Sequence, residues 1–102
     1  MKNYLIRLEL TIGGFEKHSI HLVRSKNEKI AKACALYGEC HCTDILIWGE
    51  KSVEDDCGGM VYTIDSCDEV SQKDSAVLQR LGFILLRADA SELKECGHPD
   101  FQ

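Results

Sequence analysis

The chain has 102 residues, is 44% hydrophobic and carries a formal net charge of −5, which is enough apolar material for one compact core and predicts a single domain over 1–102. An acidic chain without a basic stripe is a poor direct binder of nucleic acid, since that affinity comes mainly from Lys and Arg neutralising phosphates. Arg7 and Glu9 break the first apolar run, and nowhere does an apolar stretch approach the ~20 residues of a membrane span, so a soluble, cytoplasmic protein with no membrane partner is expected.

The opening "NYLIRLELTI" alternates, with Tyr4, Ile6, Leu8, Leu10 and Ile12 on one face and Asn3, Arg7, Glu9 and Thr11 on the other. Two glycines in "GGFEK" supply a turn and "HSIHLV" resumes the pattern, so residues 3–24 are predicted to form a β-hairpin. "SKNE" then has the form of a capping box, in which Ser25 and Glu28 exchange hydrogen bonds with each other's backbone amides. A helix is expected over 26–37, with Ile30, Cys34 and Tyr37 on its apolar stripe and Gly38 as terminator.

"DILIWG" reads as a short strand and "MVYTID" as an alternating one, with the acidic, turn-rich "EKSVEDDCGG" between them. Ser71 followed by Asp74 marks a second helix, with Val77, Leu78 and Leu81 as its stripe and Gly82 as its stop. "FILLR" is read as a strand because Gly82 interrupts the helix, and "DASE" at 89–92 caps a short terminal helix ending near Gly97 and Pro99. The resulting order, β-β-α-β-β-α-β-α, is an α+β fold with a mostly antiparallel sheet and helices on one face.

Six cysteines in this length invite three readings: reduced structural thiols, a metal site, or disulfides in an oxidising compartment. "ECHCTD" places Cys40, His41 and Cys42 together, but zinc sites commonly pair Cys-x2–4-Cys units and no second close pair exists. The metal alternative is therefore a dispersed set, Cys40, Cys42, Cys57 and Cys67, while the leading expectation is no cofactor. His18 and His21 are three apart on one strand and fall on opposite faces, which excludes a same-strand metal pair. Trp48 is expected in the core. The glycine pairs at 13–14 and 58–59 lack the spacing of a nucleotide-binding loop, and no family signature surrounds a nucleophile, so no enzyme activity is expected.

Charge is unevenly distributed. Residues 1–33 are basic on balance, whereas 50–74 hold eight Asp/Glu against Lys51 and Lys73. Such a segment can present an electronegative patch to a basic partner, where complementary potentials speed encounter and set specificity. Its candidate contacts are Glu54, Asp55, Asp56, Asp65, Asp68 and Glu69.

Taken as a whole, the size, the opening hairpin "NYLIRLELTIGGFEKHSIHLV" leading into a helix, and the acidic "EDDCGGMVYTIDSCDEV" resemble the small acidic accessory proteins of phages and mobile elements, anti-CRISPR proteins among them. The resemblance implies a non-enzymatic inhibitor in the host cell cytoplasm that occupies a basic, nucleic-acid-binding surface of a bacterial defence complex. It assigns no site residue. The alternatives are a small metal-binding or thiol-based regulatory domain, and a homo-oligomeric module, for instance a homodimer, pairing through an edge strand at "MVYTID" or "FILLR".

Overall fold

In the computed structural model, which describes residues 1–40, 46–55, 59–95 and 97–101, the alternating opening forms two long strands. β1 (Lys2–Ile12) and β2 (Phe15–Ser25) pair antiparallel along their whole length, from Lys2 opposite Ser25 to Ile12 opposite Phe15. Gly13 turns the corner at φ 56, a left-handed conformation that glycine adopts without a Cβ clash. Helix α1 (Glu28–Glu39) follows. Its N-cap is Asn27 rather than Ser25: the Asn27 Oδ1 accepts from the Ile30 amide at 2.9 Å, and Ser25 is the fully buried last residue of β2. Asn caps as well as Ser does, and the strand pairing claims Ser25 first. Gly38 lies inside the helix, which ends at Glu39, so it is not the terminator the sequence suggested.

The segment read as a turn-rich spacer contains a strand of its own. β3 (Leu46–Trp48), β4 (Ser52–Asp55) and β5 (Met60–Val70) form an antiparallel meander, its first turn closed by the Gly49 amide on the Ser52 carbonyl at 2.8 Å. A Cβ at Gly49 would lie 2.8 Å from Ser52 Oγ, so a larger residue here would require the serine side chain to move. Helix α2 (Gln72–Arg80) is capped by Ser71, whose Oγ accepts from the Asp74 amide at 3.0 Å, and it stops at Gly82 with φ 108, both as expected. β6 (Leu85–Arg87) is the strand foreseen in "FILLR", and α3 (Ala90–Glu95) starts where Asp89 Oδ1 accepts from the Ser91 amide at 2.9 Å.

The strands form one six-stranded sheet in the order β3-β4-β5-β1-β2-β6, antiparallel except for the β2–β6 pair. The class is α+β. "MVYTID" therefore lies in β5, paired on both sides, and is not an edge; β6 is. Two connections join strands that run the same way, β2–α1–β3 and β5–α2–β6, and they cross the sheet in opposite directions. With the usual right-handed crossover, α1 and α2 belong on opposite faces, which corrects the expectation of helices on one face.

Burial agrees. Tyr4, Ile6, Leu8, Leu10, Val23, Val53 and Tyr62 share one sheet face and pack with Ala31, Ala35 and Leu36 of α1 into the core. Alanines let α1 sit close to the strands, while the expected stripe residues Ile30, Cys34 and Tyr37 are only half-buried. The Cys34 thiol reaches the Asp89 carbonyl at the entry to α3, on this same side. On the other face Leu22 is 1% exposed, although it points away from the core by strand alternation. Its neighbours across a cavity of about 500 Å3 are Leu81, Phe83 and Ile84, in the turn that leaves α2. Among the described residues no helix is long and apolar enough to cross a membrane.

Candidate functional site

The face of the sheet opposite α1 is only partly covered. Toward the N-terminal end of β1, Asn3 and Leu22 are buried there, but beyond them Arg7, Glu16, His18 and Glu54 are exposed and Glu9 and Thr11 half-exposed. Register fixes how these side chains are arrayed. One row across the sheet is Glu54, Val61, Thr11 and Glu16, and the next is Ser52, Thr63, Glu9 and His18. Strands lie about 4.8 Å apart, so Glu54 on β4 and Glu16 on β2 are separated by roughly 14 Å, with Glu9 one row along between them.

A β-bulge adds to this face. Arg7 pairs with Ser66 and Leu8 with Ile64, leaving Asp65 as the extra residue. Since Ile64 points to the core side and Ser66 shares the face of Arg7, both Asp65 and Ser66 project from the open face, as bulges re-aim side chains. Asp68, opposite Leu5, is exposed on the same side. Glu9, Glu16, Glu54, Asp65 and Asp68 thus oppose Arg7, and the ion pairs among the described residues engage none of them.

The structure redistributes the acidic residues chosen from sequence. Glu54, Asp65 and Asp68 share the open face. Glu69 faces the α1 side opposite Tyr4, with its Oε1 3.3 Å from Lys2 Nζ. Asp55 is withdrawn from the contact set: it alternates with Glu54 on β4, so it points inward and is 0% exposed. Asp56 lies outside the described residues. Glu9 and Glu16, absent from the sequence-based set, belong to the face through the pairing of β1 with β5 and of β2 with β1. Their signal was the alternation of β1 and β2, hidden by counting charge along the chain.

The dispersed metal set is likewise separated. The Cys67 thiol lies beside Glu28 and Lys32 in the first turns of α1, whereas Cys40 caps its C-terminus and donates to the Leu36 carbonyl at 3.3 Å. At ~1.5 Å rise per residue these positions are on the order of 15 Å apart, too far for one ion. Cys42 and Cys57 lie outside the described residues. Cys67 is a free thiol, and among the described residues no group of three or more His, Cys, Asp or Glu is placed to hold a metal.

Burial, reinforced by the Glu28 carboxylate, pushes the Cys67 thiol up to about 11, and Lys32 opposes this only in part. The thiolate is the reactive form. Alkylation of Cys67 at pH 8, followed by peptide-resolved mass spectrometry, is therefore expected to run ~100-fold slower in the folded chain than in denaturant.

A second polar cluster surrounds the start of α1. Trp48, half-buried as an edge of the core, meets His98 with ring centroids 4.3 Å apart and planes tilted by 51°. Lys29 Nζ reaches Asp100 Oδ2 at 3.4 Å, and Lys32 Nζ reaches Glu28 Oε1 at 2.9 Å, along a cleft of about 570 Å3. The cations lining this cleft are thus already paired with carboxylates. His21 and His18 do lie on opposite faces; His21 Nε2 is 2.7 Å from Glu39 Oε1 on the core side.

His98 Nδ1 accepts from the Asp100 amide at 3.1 Å, which requires that nitrogen to be unprotonated. Burial holds the imidazole below its usual range; the Asp100 carboxylate pulls it up, and the Lys29 ammonium pushes it further down. The folded value is thus lower than the unfolded value of ~6.5, and the unfolded chain takes the proton first. The contribution is complete above pH ~6.5 and is lost as pH falls from there to the folded value, by at most ~1.4 kcal/mol per unit. Urea unfolding at pH 7.5 and 5.5 is expected to show a larger acid loss for the wild type than for His98→Gln.

No family model, curated protein or solved structure matches this chain.

Proposed function

We propose that this chain is a non-enzymatic binding protein that docks the open acidic face of its sheet onto a basic, nucleic-acid-binding surface, and so occludes it. The observation that carries this reading is the cluster of Glu16, Glu54, Asp65 and Asp68 on exposed strand positions with the half-exposed Glu9 among them, engaged in none of the described ion pairs. A sheet holds these carboxylates on rigid backbone, so little ordering entropy is lost when a partner's Lys and Arg meet them. The resemblance to phage and mobile-element accessory proteins makes a bacterial defence complex, of the CRISPR-Cas kind, the proposed owner of that surface.

Pull-down from bacterial lysate with mass spectrometry identifies the partner, and charge reversal tests the face. Glu9→Lys combined with Glu54→Lys is expected to weaken binding by ~100-fold or more, because like charges in contact cost several kcal/mol. Glu69→Lys, on the opposite face, should leave binding within about threefold. Raising salt above 0.15 M should weaken the wild-type complex, since the Debye length there is already about 8 Å. Salt-insensitive binding that survives the double reversal would sink the electrostatic reading.

A further inference from the structure

The turn leaving α2 carries apolar side chains where a monomer has no use for them. Leu81 is 74% exposed, Ile84 78%, Leu86 42% and, beside them on β2, Ile20 40%. These four line the groove of about 500 Å3 whose floor is Leu22. The groove runs along β6, the outermost strand on this side of the sheet. Phe83, Ile84, Leu85 and Leu86 are consecutive, and no Lys, Pro or acidic residue guards them before Arg87. Exposed edges are ordinarily protected by such residues, as Glu16, Lys17 and His18 protect the neighbouring stretch of β2.

We propose that this edge is a homodimer interface, in which β6 pairs antiparallel with β6 of a second copy about a two-fold axis normal to the sheet. Such an axis keeps each face of the sheet on its own side, so residues of like parity meet. Centred on Leu85, the pairing sets Ile84 opposite Leu86 of the second copy and Phe83 opposite Arg87, with no like charges face to face. A second copy is the occupant that matches this edge because the strand is self-complementary and its groove is apolar, with no charge pattern to select a different partner. The exposed apolar area of the cluster is on the order of 500 Å2 per copy, close to the apolar share of the ~800 Å2 per partner in a standard interface. The acidic faces of both copies stay open and point to the same side, and the dimer does not depend on what they bind.

Sedimentation equilibrium of the full chain from about 1 to 100 μM tests this, since interfaces of this size span μM to pM affinity. The wild type is expected at twice the 11.4 kDa chain mass with a Kd at or below about 10 μM. Ile84→Lys and Leu81→Lys are each expected to raise the Kd by ~30-fold or more while the circular dichroism spectrum is unchanged, because both positions are exposed. Glu54→Lys should leave the dimer intact. Should Ile84→Lys fail to fold, Leu81→Lys, outside the strand, gives the same reading. A wild type that stays monomeric throughout, or a dimer insensitive to both variants, overturns the proposal. So does a monomer whose binding of a hydrophobic dye is lost in Ile84→Lys, because the groove then serves another occupant.

Discussion

Replacing Asp55 with lysine is expected to destabilise the chain by about 3 kcal/mol or more, while Glu54→Lys next to it changes stability by no more than about 0.5 kcal/mol. Both residues are acidic and adjacent, and in sequence they look interchangeable. Strand pairing separates them. Glu54 sits opposite Val61 on the open face, whereas Asp55 sits opposite Met60 and Leu46 on the core face and is fully buried. A lysine at position 55 would bring a longer side chain and an ammonium into a site built around a short carboxylate. Urea unfolding of the two variants measures the contrast, and equal stabilities would mean that β4 is not seated as described.

Leu93→Ala should cost about 3 kcal/mol, within the 2–5 kcal/mol usual for a buried leucine. For a domain of this size that lowers Tm by more than ~10 °C. The reason is that α3 has only six residues, too few to hold itself helical in water. Leu93, 0% exposed, is its one fully buried side chain among the described residues. The effect should reach beyond the helix, because the Leu93 carbonyl accepts the His98 amide at 3.1 Å and His98 in turn lies against Trp48. Trp48 is the sole tryptophan, so its emission should shift to the red as the C-terminal segment loosens. Lys94→Ala, on the exposed side of the same helix, should change neither stability nor emission.

Where sequence pattern and tertiary demand coincide, the elements were legible in advance. The β1–β2 hairpin announces itself by strict alternation around Gly13 and Gly14, and α2 by Ser71, Asp74 and Gly82. β4 was hidden because Ser52–Asp55 is four residues with two acids, and only its pairing with β3 and β5 makes it a strand. The stripe Val77, Leu78 and Leu81 has helical spacing, yet Val77 and Leu81 lie at the surface, and the one buried residue of the helix is Ser75. The acidic site was half legible for the same reason. Counting charge along 50–74 found Glu54, Asp65 and Asp68 but also took in Asp55, which points inward, and Glu69, which points to the other face. Glu9 and Glu16 join the site from a segment that is basic by count, because pairing across the sheet, rather than proximity in the chain, assembles it.

The central place of β1 in the sheet has a consequence for synthesis. Its partner on one side, β2, follows within a few residues, but its partner on the other, β5, pairs Val61 with Thr11 and Val70 with Asn3. At ~5–20 residues per second, roughly 3–12 s pass between the emergence of these segments from the ribosome. Through that interval a finished hairpin displays one unpaired edge of β1, with Tyr4, Ile6, Leu8 and Leu10 along one face. α1 is made early in the same interval, and its Ala31, Ala35 and Leu36 can screen those side chains, but nothing yet made can occupy the edge. The nascent chain is therefore most exposed to wrong strand pairing before residue 61 is translated, and holdase chaperones that recognise extended apolar segments would find their substrate in the first half of this protein.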